Sequence, residues 1–191
     1  KQVFEQATRM KNMTPGLITL FYRPLEIFLQ APKYGLEVDI WSLGCIFFEM
    51  MTGRVLFQSP NFRKDNTDKD NENATVQQIL TICGPPDKDW PEWRNLPNSK
   101  LYQSLKTPNQ GNLNDFLTRT LPPQYQAAKP LLLGMLHYNP KERWSLPRIL
   151  KDPFLHNINN SLDPARLEPL PIPERNDDSS QSTRKKVQGL N

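Results

Sequence analysis

The sequence predicts a mainly α-helical domain, and three observations carry that prediction. The run Glu37–Thr52 is apolar at nearly every position from Val38 to Met51, broken only by Asp39, Ser42, Gly44 and Glu49. A second run, Tyr125–Tyr138, places Ala128, Leu131, Leu132, Met135 and Leu136 on one helical face. The chain also holds 19 prolines, about twice an ordinary usage of ~5%. They fall in the connections, so the helices should be joined by long, stiff loops.

Taken in order, Lys1 to Pro15 has neither a helical nor a strand period and reads as an extended loop. Gly16 to Leu29 is dense in apolar and aromatic residues but interrupted by Pro24, which fixes its own φ and biases Arg23 away from the α region. A buried loop leading into a short helix from about Leu25 follows from this. Ala31 to Leu36 is a turn with Pro32 and Gly35. It delivers the chain to Glu37–Thr52, expected to be a helix buried at the centre because it lacks a polar face. Gly53 suits the left-handed residue just past its end. Asp39, at the head of a buried helix, would need hydrogen-bond donors around it.

Beyond Gly53, Arg54 to Pro60 is a loop, and the charged, Asn-rich residues 61–73 are expected to form a flexible insertion. Ala74 to Cys83 has Val76, Ile79, Leu80 and Cys83 at helical spacing and stops at Gly84-Pro85-Pro86. Asp87 to Leu113 is mostly connection, anchored by Trp90, Trp93, Leu96, Leu101 and Tyr102, with a short helix at Leu113 to Arg119. Pro130 is tolerable in the following helix only within its first turn, which moves the start towards Lys129. Ser145 is the expected N-cap of a last helix, Leu146 to Lys151. Residues 174–191 have the composition of a disordered polar tail, and no internal repeat is present.

A length of 191 residues suffices for one domain with a core. The net charge of +4 is small and scattered, which argues against direct nucleic-acid binding. No stretch reaches the roughly 20 apolar residues of a membrane span, and no signal peptide is seen. Cys45 and Cys83 sit in apolar runs and read as buried free thiols. His137 and His156 have no Cys or carboxylate cluster near them and read as structural, not as metal ligands. Arg184-Lys185-Lys186 is a short basic run of the kind that serves nuclear import or an acidic partner. The chain begins mid-pattern at Lys1 without an initiator Met, so it is expected to be part of a longer protein.

Four pieces, in order, resemble one family. Thr19-Leu20-Phe21-Tyr22-Arg23-Pro24-Leu25-Glu26 is similar to the substrate-side end of a protein-kinase activation segment in the cyclin-dependent and MAP-kinase group. Asp39-Ile40-Trp41-Ser42-Leu43-Gly44 resembles the motif that opens the central helix of the kinase C-lobe. Leu80 to Trp90 is similar to that group's insert, and Asn139-Pro140-Lys141-Glu142-Arg143 resembles a late motif ending in arginine. The departures are Pro24-Leu25 for Ala-Pro, Phe21 for Trp and Asn139 for Asp. Three loop features resemble the Mediator-associated branch that partners cyclin C. They are the hydrophilic stretch after Leu56-Phe57-Gln58, the run Pro86 to Trp90, and the Pro-rich segment after Leu155.

The resemblance implies a protein kinase-like fold, α+β as a whole, of which residues 1–173 would be the helical C-terminal lobe without the β-rich N-lobe. It implies that Asp39 accepts backbone N–H groups of a catalytic loop, the alternative being a helix N-cap alone. Thr19 would support the same loop. Leu17, Ile18 and Arg23 would border the substrate pocket and favour a proline after the acceptor Ser or Thr. Glu26 and Arg143 would form a buried ion pair, the alternative being two unrelated surface charges. Thr14, before Pro15, is the candidate activating phosphorylation site, although some members of the branch dispense with that phosphate; Arg9 and Lys11 are its only local cations.

The full-length enzyme would use ATP and Mg. The glycine-rich loop, strand lysine, catalytic aspartate and metal-holding motifs are all missing from this sequence, so the chain by itself is expected to be inactive. The implied partners are a cyclin (cyclin C in this branch), a Mediator-type transcription complex and Ser/Thr-Pro protein substrates. The implied location is the nucleus, with the cytoplasm as a second compartment. A non-catalytic kinase-like interaction module is the competing reading.

Overall fold

The computed structural model describes residues 19–103, 105 and 111–156. Thr14, Leu17, Ile18 and the expected tail 174–191 lie outside the described residues. Among these residues the secondary structure is helical, with no strand. The α-helices are α1 (Leu25–Phe28), α2 (Glu37–Thr52), α3 (Asp68–Cys83), α4 (Ser99–Gln103), α5 (Leu113–Thr120), α6 (Lys129–Met135) and α7 (Leu146–Ile149). Short 3-10 turns lie at Leu20–Tyr22, Pro86–Lys88, Pro91–Asn95 and Pro123–Ala128.

Helix α2 organises the rest. Gly53 closes it at φ 67°, and its N–H donates to Glu49 O at 2.7 Å, a left-handed cap that costs glycine little. Val38, Trp41, Cys45 and Phe48 are buried and recur at the three- and four-residue spacing of one helical face. Trp41 stacks on Phe57 at 5.4 Å and on Tyr138 at 6.4 Å. Helix α6 packs across α2 at Gly44. A Cβ there would lie 3.0 Å from Leu136 Cδ2 and 3.1 Å from Met135 Cβ, so the small residue sets the approach of the two helices. A second apolar cluster gathers Ile40, Leu131, Met135 and Ile149.

Burial of α2 is not uniform, which corrects the expectation of a rod enclosed on all sides. Leu36 and Met50 are 75% exposed and Ile46 is 43% exposed. At 100° per residue, Asp39, Ile46 and Met50 share one face. An apolar sequence shows that a helix can be buried all round, not which of its faces the other described elements reach.

Four further differences have local causes. Residues 68–73, expected within a flexible insertion, form the first turns of α3. Thr67 caps that helix by accepting from Asp70 N–H at 3.2 Å and donating to Asp70 Oδ2 at 2.6 Å. Buried Asn71 then fixes the preceding loop: its amide donates to Arg63 O at 2.9 Å and accepts from Arg63 N–H at 3.2 Å. The helix expected over Tyr125–Tyr138 ends at Met135; its start at Lys129 is the one Pro130 required, and Pro123–Ala128 before it forms a 3-10 turn. The last helix ends at Ile149, and the Ser145 side chain makes no capping bond; its backbone oxygen accepts from Arg148 and Ile149 instead. Leu101, expected as an anchor, is exposed, whereas Trp90, Trp93 and Tyr102 are buried as apolar anchors of the same connection.

Candidate functional site

The described side chains with the most chemistry converge where the segment Thr19–Glu26 meets the start of α2. Pro24 sits in the extended region at ψ 161° and serves as N-cap residue of α1, so Glu26 falls in that helix's first turn. From there its carboxylate is turned inward and buried. Arg143 arrives from the turn after α6. Its Nη1 donates to Glu26 Oε1 at 2.7 Å and its Nη2 to Glu26 Oε2 at 3.2 Å, a bidentate pair with side chains 0% and 2% exposed. The same guanidinium donates to Glu37 O at 2.6 Å and, through Nε, to His137 O at 3.1 Å. It also lies over the Trp41 ring at 5.2 Å. One cation therefore ties α1, the head of α2 and the turn after α6 together. A planar five-donor group can do this where an ammonium cannot.

Two more bonds pin the Leu20–Tyr22 turn to α2. Ser42 Oγ lies 2.8 Å from Tyr22 O, and the Tyr22 hydroxyl donates to Glu49 Oε2 at 2.8 Å. The hydrogen bond to Glu49, with burial next, raises the Tyr22 phenol above its ordinary value of 10.0. Arg23 is nearly buried, with Nη1 at 2.7 Å from Glu72 Oε1 and its guanidinium over Phe28 at 5.1 Å. Phe21 meets Phe62 edge-on at 4.9 Å.

Thr19 is exposed and precedes this turn, accepting from Tyr22 N–H at 3.0 Å through its backbone oxygen. Asp39 is exposed at the third position of α2, behind the N-cap residue Leu36. It is thus neither a buried carboxylate wrapped in donors nor the N-cap; it stands at the head of the open face that carries Ile46 and Met50. Thr14, Leu17 and Ile18 lie outside the described residues. The structure thus brings Glu26, Arg143 and Arg23 into one buried region and leaves Asp39 and Thr19 facing solvent.

Glu49, Tyr22 and Glu72 were not singled out from the sequence. Glu49 had a signal, being the one acidic residue in the second half of an otherwise apolar helix. Glu72 had none, since it sat among other charges in residues 61–73.

Cys45 is buried, Cys83 is half-buried, and both are free. Burial pushes the Cys83 thiol up to about 12 and Cys45 well above its ordinary value, so neither is a ready thiolate nucleophile. Among the described residues no three His, Cys, Asp or Glu side chains come together as a metal site. None of their helices is long and apolar enough to cross a membrane.

Comparison with known proteins places this geometry in context. Residues 3–155 match the protein kinase domain family. The chain is 30% identical over 177 residues to cyclin-dependent kinase 12 of Caenorhabditis elegans, covering 92% of this chain and 22% of that protein. It is 31% identical over 184 residues to cyclin-dependent kinase C-1 of Oryza sativa subsp. japonica, covering 94% of this chain and 31% of the relative. It is 29% identical over 178 residues to probable cyclin-dependent kinase 8 of Dictyostelium discoideum, covering 91% and 45%. The chain therefore spans less than half the length of these relatives.

Proposed function

The chain belongs to the protein kinase family, and we propose that it is the substrate-side helical lobe of a cyclin-dependent, proline-directed serine/threonine kinase. The observation that carries the reading is the buried Glu26–Arg143 pair, which joins the segment Thr19–Glu26 to the head of α2. A peptide substrate needs a rigid wall beside the reacting centre, and a segment fixed by a desolvated ion pair supplies one. In this reading Leu17, Ile18 and Arg23 border the residue after the acceptor. Asp39 and Thr19 face the catalytic loop and hold its backbone, and Thr14 is the regulatory phosphorylation site.

ATP and Mg belong to the whole enzyme. The glycine-rich phosphate loop and the metal-holding motifs that would bind them are not in this sequence. No step of phosphoryl transfer is therefore assigned to these side chains. Their contribution is to hold the substrate and to orient the groups that react. The cyclin partner is assigned to the cyclin-C type, and with it a Mediator-type complex and a nuclear location, on the stretch after Gln58 and on Pro86 to Trp90.

The test is phosphorylation of a Ser-Pro peptide by the full-length protein co-purified with its cyclin, with and without Asp39→Asn. Turnover should fall roughly 10²-fold, the scale of a misplaced catalytic group, while the full-length protein stays folded and soluble. Undiminished turnover would refute the orienting role. A wild-type protein that transfers no phosphate would leave the interaction-module reading in its place.

A further inference from the structure

The stretch from Phe62 into the first turns of α3 reads from composition as solvated chain, yet it makes two contacts with the segment Phe21–Arg23. Phe62 packs on Phe21, and ten positions later Glu72 holds Arg23. Phe21 and Arg23 flank Tyr22, so the two contacts bracket one residue. Between them the chain is stiffened by buried Asn71, bonded to both backbone groups of Arg63, and by the Thr67 cap of α3. This stretch is built to present Glu72 in one place.

We infer that Glu72 is the positioning residue for Arg23, and through it for the recognition of the substrate residue following the acceptor. The inference rests on the reading of Arg23 given above. Arg23 is nine-tenths buried, its face lies against Phe28, and one end is held by a carboxylate at 2.7 Å. A planar fork held in this way keeps one orientation. Without the carboxylate the guanidinium gains rotamer freedom, and whatever its other N–H groups hold is held less firmly. Glu72 is 37% exposed, so its removal should disturb Arg23 without opening the core.

The experiment compares Ser-Pro and Ser-Ala peptides as substrates of the full-length protein carrying Glu72→Ala, Glu72→Gln or Glu72→Asp. The ratio of kcat/KM between the two peptides should drop on the order of tenfold in Glu72→Ala and Glu72→Gln, the scale of one hydrogen bond to a charged group. The loss should appear as a raised KM for the Ser-Pro peptide at nearly constant kcat, and Glu72→Asp should restore part of it. Should Glu72→Ala fail to fold, the isosteric Glu72→Gln decides. An unchanged ratio, or an equal fall for both peptides, would overturn the role of Glu72 while leaving the kinase reading intact. A wild-type protein that phosphorylates neither peptide would overturn that reading, and this inference with it.

Discussion

Replacing Arg143 by methionine removes one cation and strands one anion. Methionine occupies much of the stem volume, but the Glu26 carboxylate remains almost fully buried and loses both hydrogen bonds. Glu37 O and His137 O lose their donors as well. Breaking a buried pair from one side costs roughly 3–5 kcal/mol, which for a domain of this size lowers the Tm by roughly 6–20 °C. Glu26→Gln should cost less, about 2 kcal/mol, because Arg143 keeps its three backbone acceptors, Glu37 O, His137 O and Tyr138 O, and a polar neighbour. The double variant Glu26→Leu/Arg143→Met should be more stable than Arg143→Met alone, since no charge is left behind. Urea unfolding of the full-length protein, followed by tryptophan fluorescence, to which Trp41 beneath the guanidinium contributes, measures all three. The reasoning fails if Arg143→Met costs under about 1 kcal/mol, or if the double variant loses the sum of the single losses.

Gly44 and Gly134 should respond unequally to alanine. A Cβ at Gly44 meets Leu136 Cδ2 at 3.0 Å and Met135 Cβ at 3.1 Å, tight contacts that need a shift of a few tenths of an ångström, whereas one at Gly134 lands inside the Trp144 indole. That indole is held by its own backbone bond to Gly134 O at 2.9 Å and by Arg148 stacked at 4.0 Å. Denaturant midpoints should therefore show a loss of about 1 kcal/mol for Gly44→Ala and about 3 kcal/mol for Gly134→Ala; equal losses would count against the packing account. Alkaline stability forms the other prediction. Burial raises Cys83 from 9.0 to about 12 and Tyr102 from 10.0 to about 12, so the folded state holds these protons more tightly than the unfolded chain does. Their stabilisation is complete below pH 9 and is lost as the pH rises towards 12. Cys83→Ala should make the loss between pH 9 and 12 shallower, with buried Cys45 still contributing from pH 9, and an unchanged slope would show that the Cys83 proton is not among those responsible.

How much of this was legible differs from element to element. The bounds of α2 could be read because fourteen residues of near-continuous apolar chain and a glycine stop are local signals. The start of α6 followed from Pro130, whose ring allows few helical positions. The start of α3 did not follow from composition, because Asp68 to Asn73 carries no apolar stripe. The helix begins there through the Thr67 cap and through Asn71, which is buried by bonds to Arg63. The capping pattern of Thr67 with Asp70 was the local sign available. The pairing of Glu26 with Arg143 spans 117 positions; no periodicity reaches that far, and only the resemblance of their two motifs brought them together.

By itself the sequence determined the bounds of α2 and the places where glycine and proline end or start a helix, since those preferences depend on neighbours a few bonds away. It also determined, through its motifs, the kinase family. Tertiary structure alone decided which face of α2 is covered and which stays open at Asp39, Ile46 and Met50. It likewise decided that Arg143 serves α1, α2 and the turn after α6 at once, and that Glu72 reaches Arg23. Burial and ion pairing depend on the distance between groups far apart in the chain, and that distance exists only once the helices have packed.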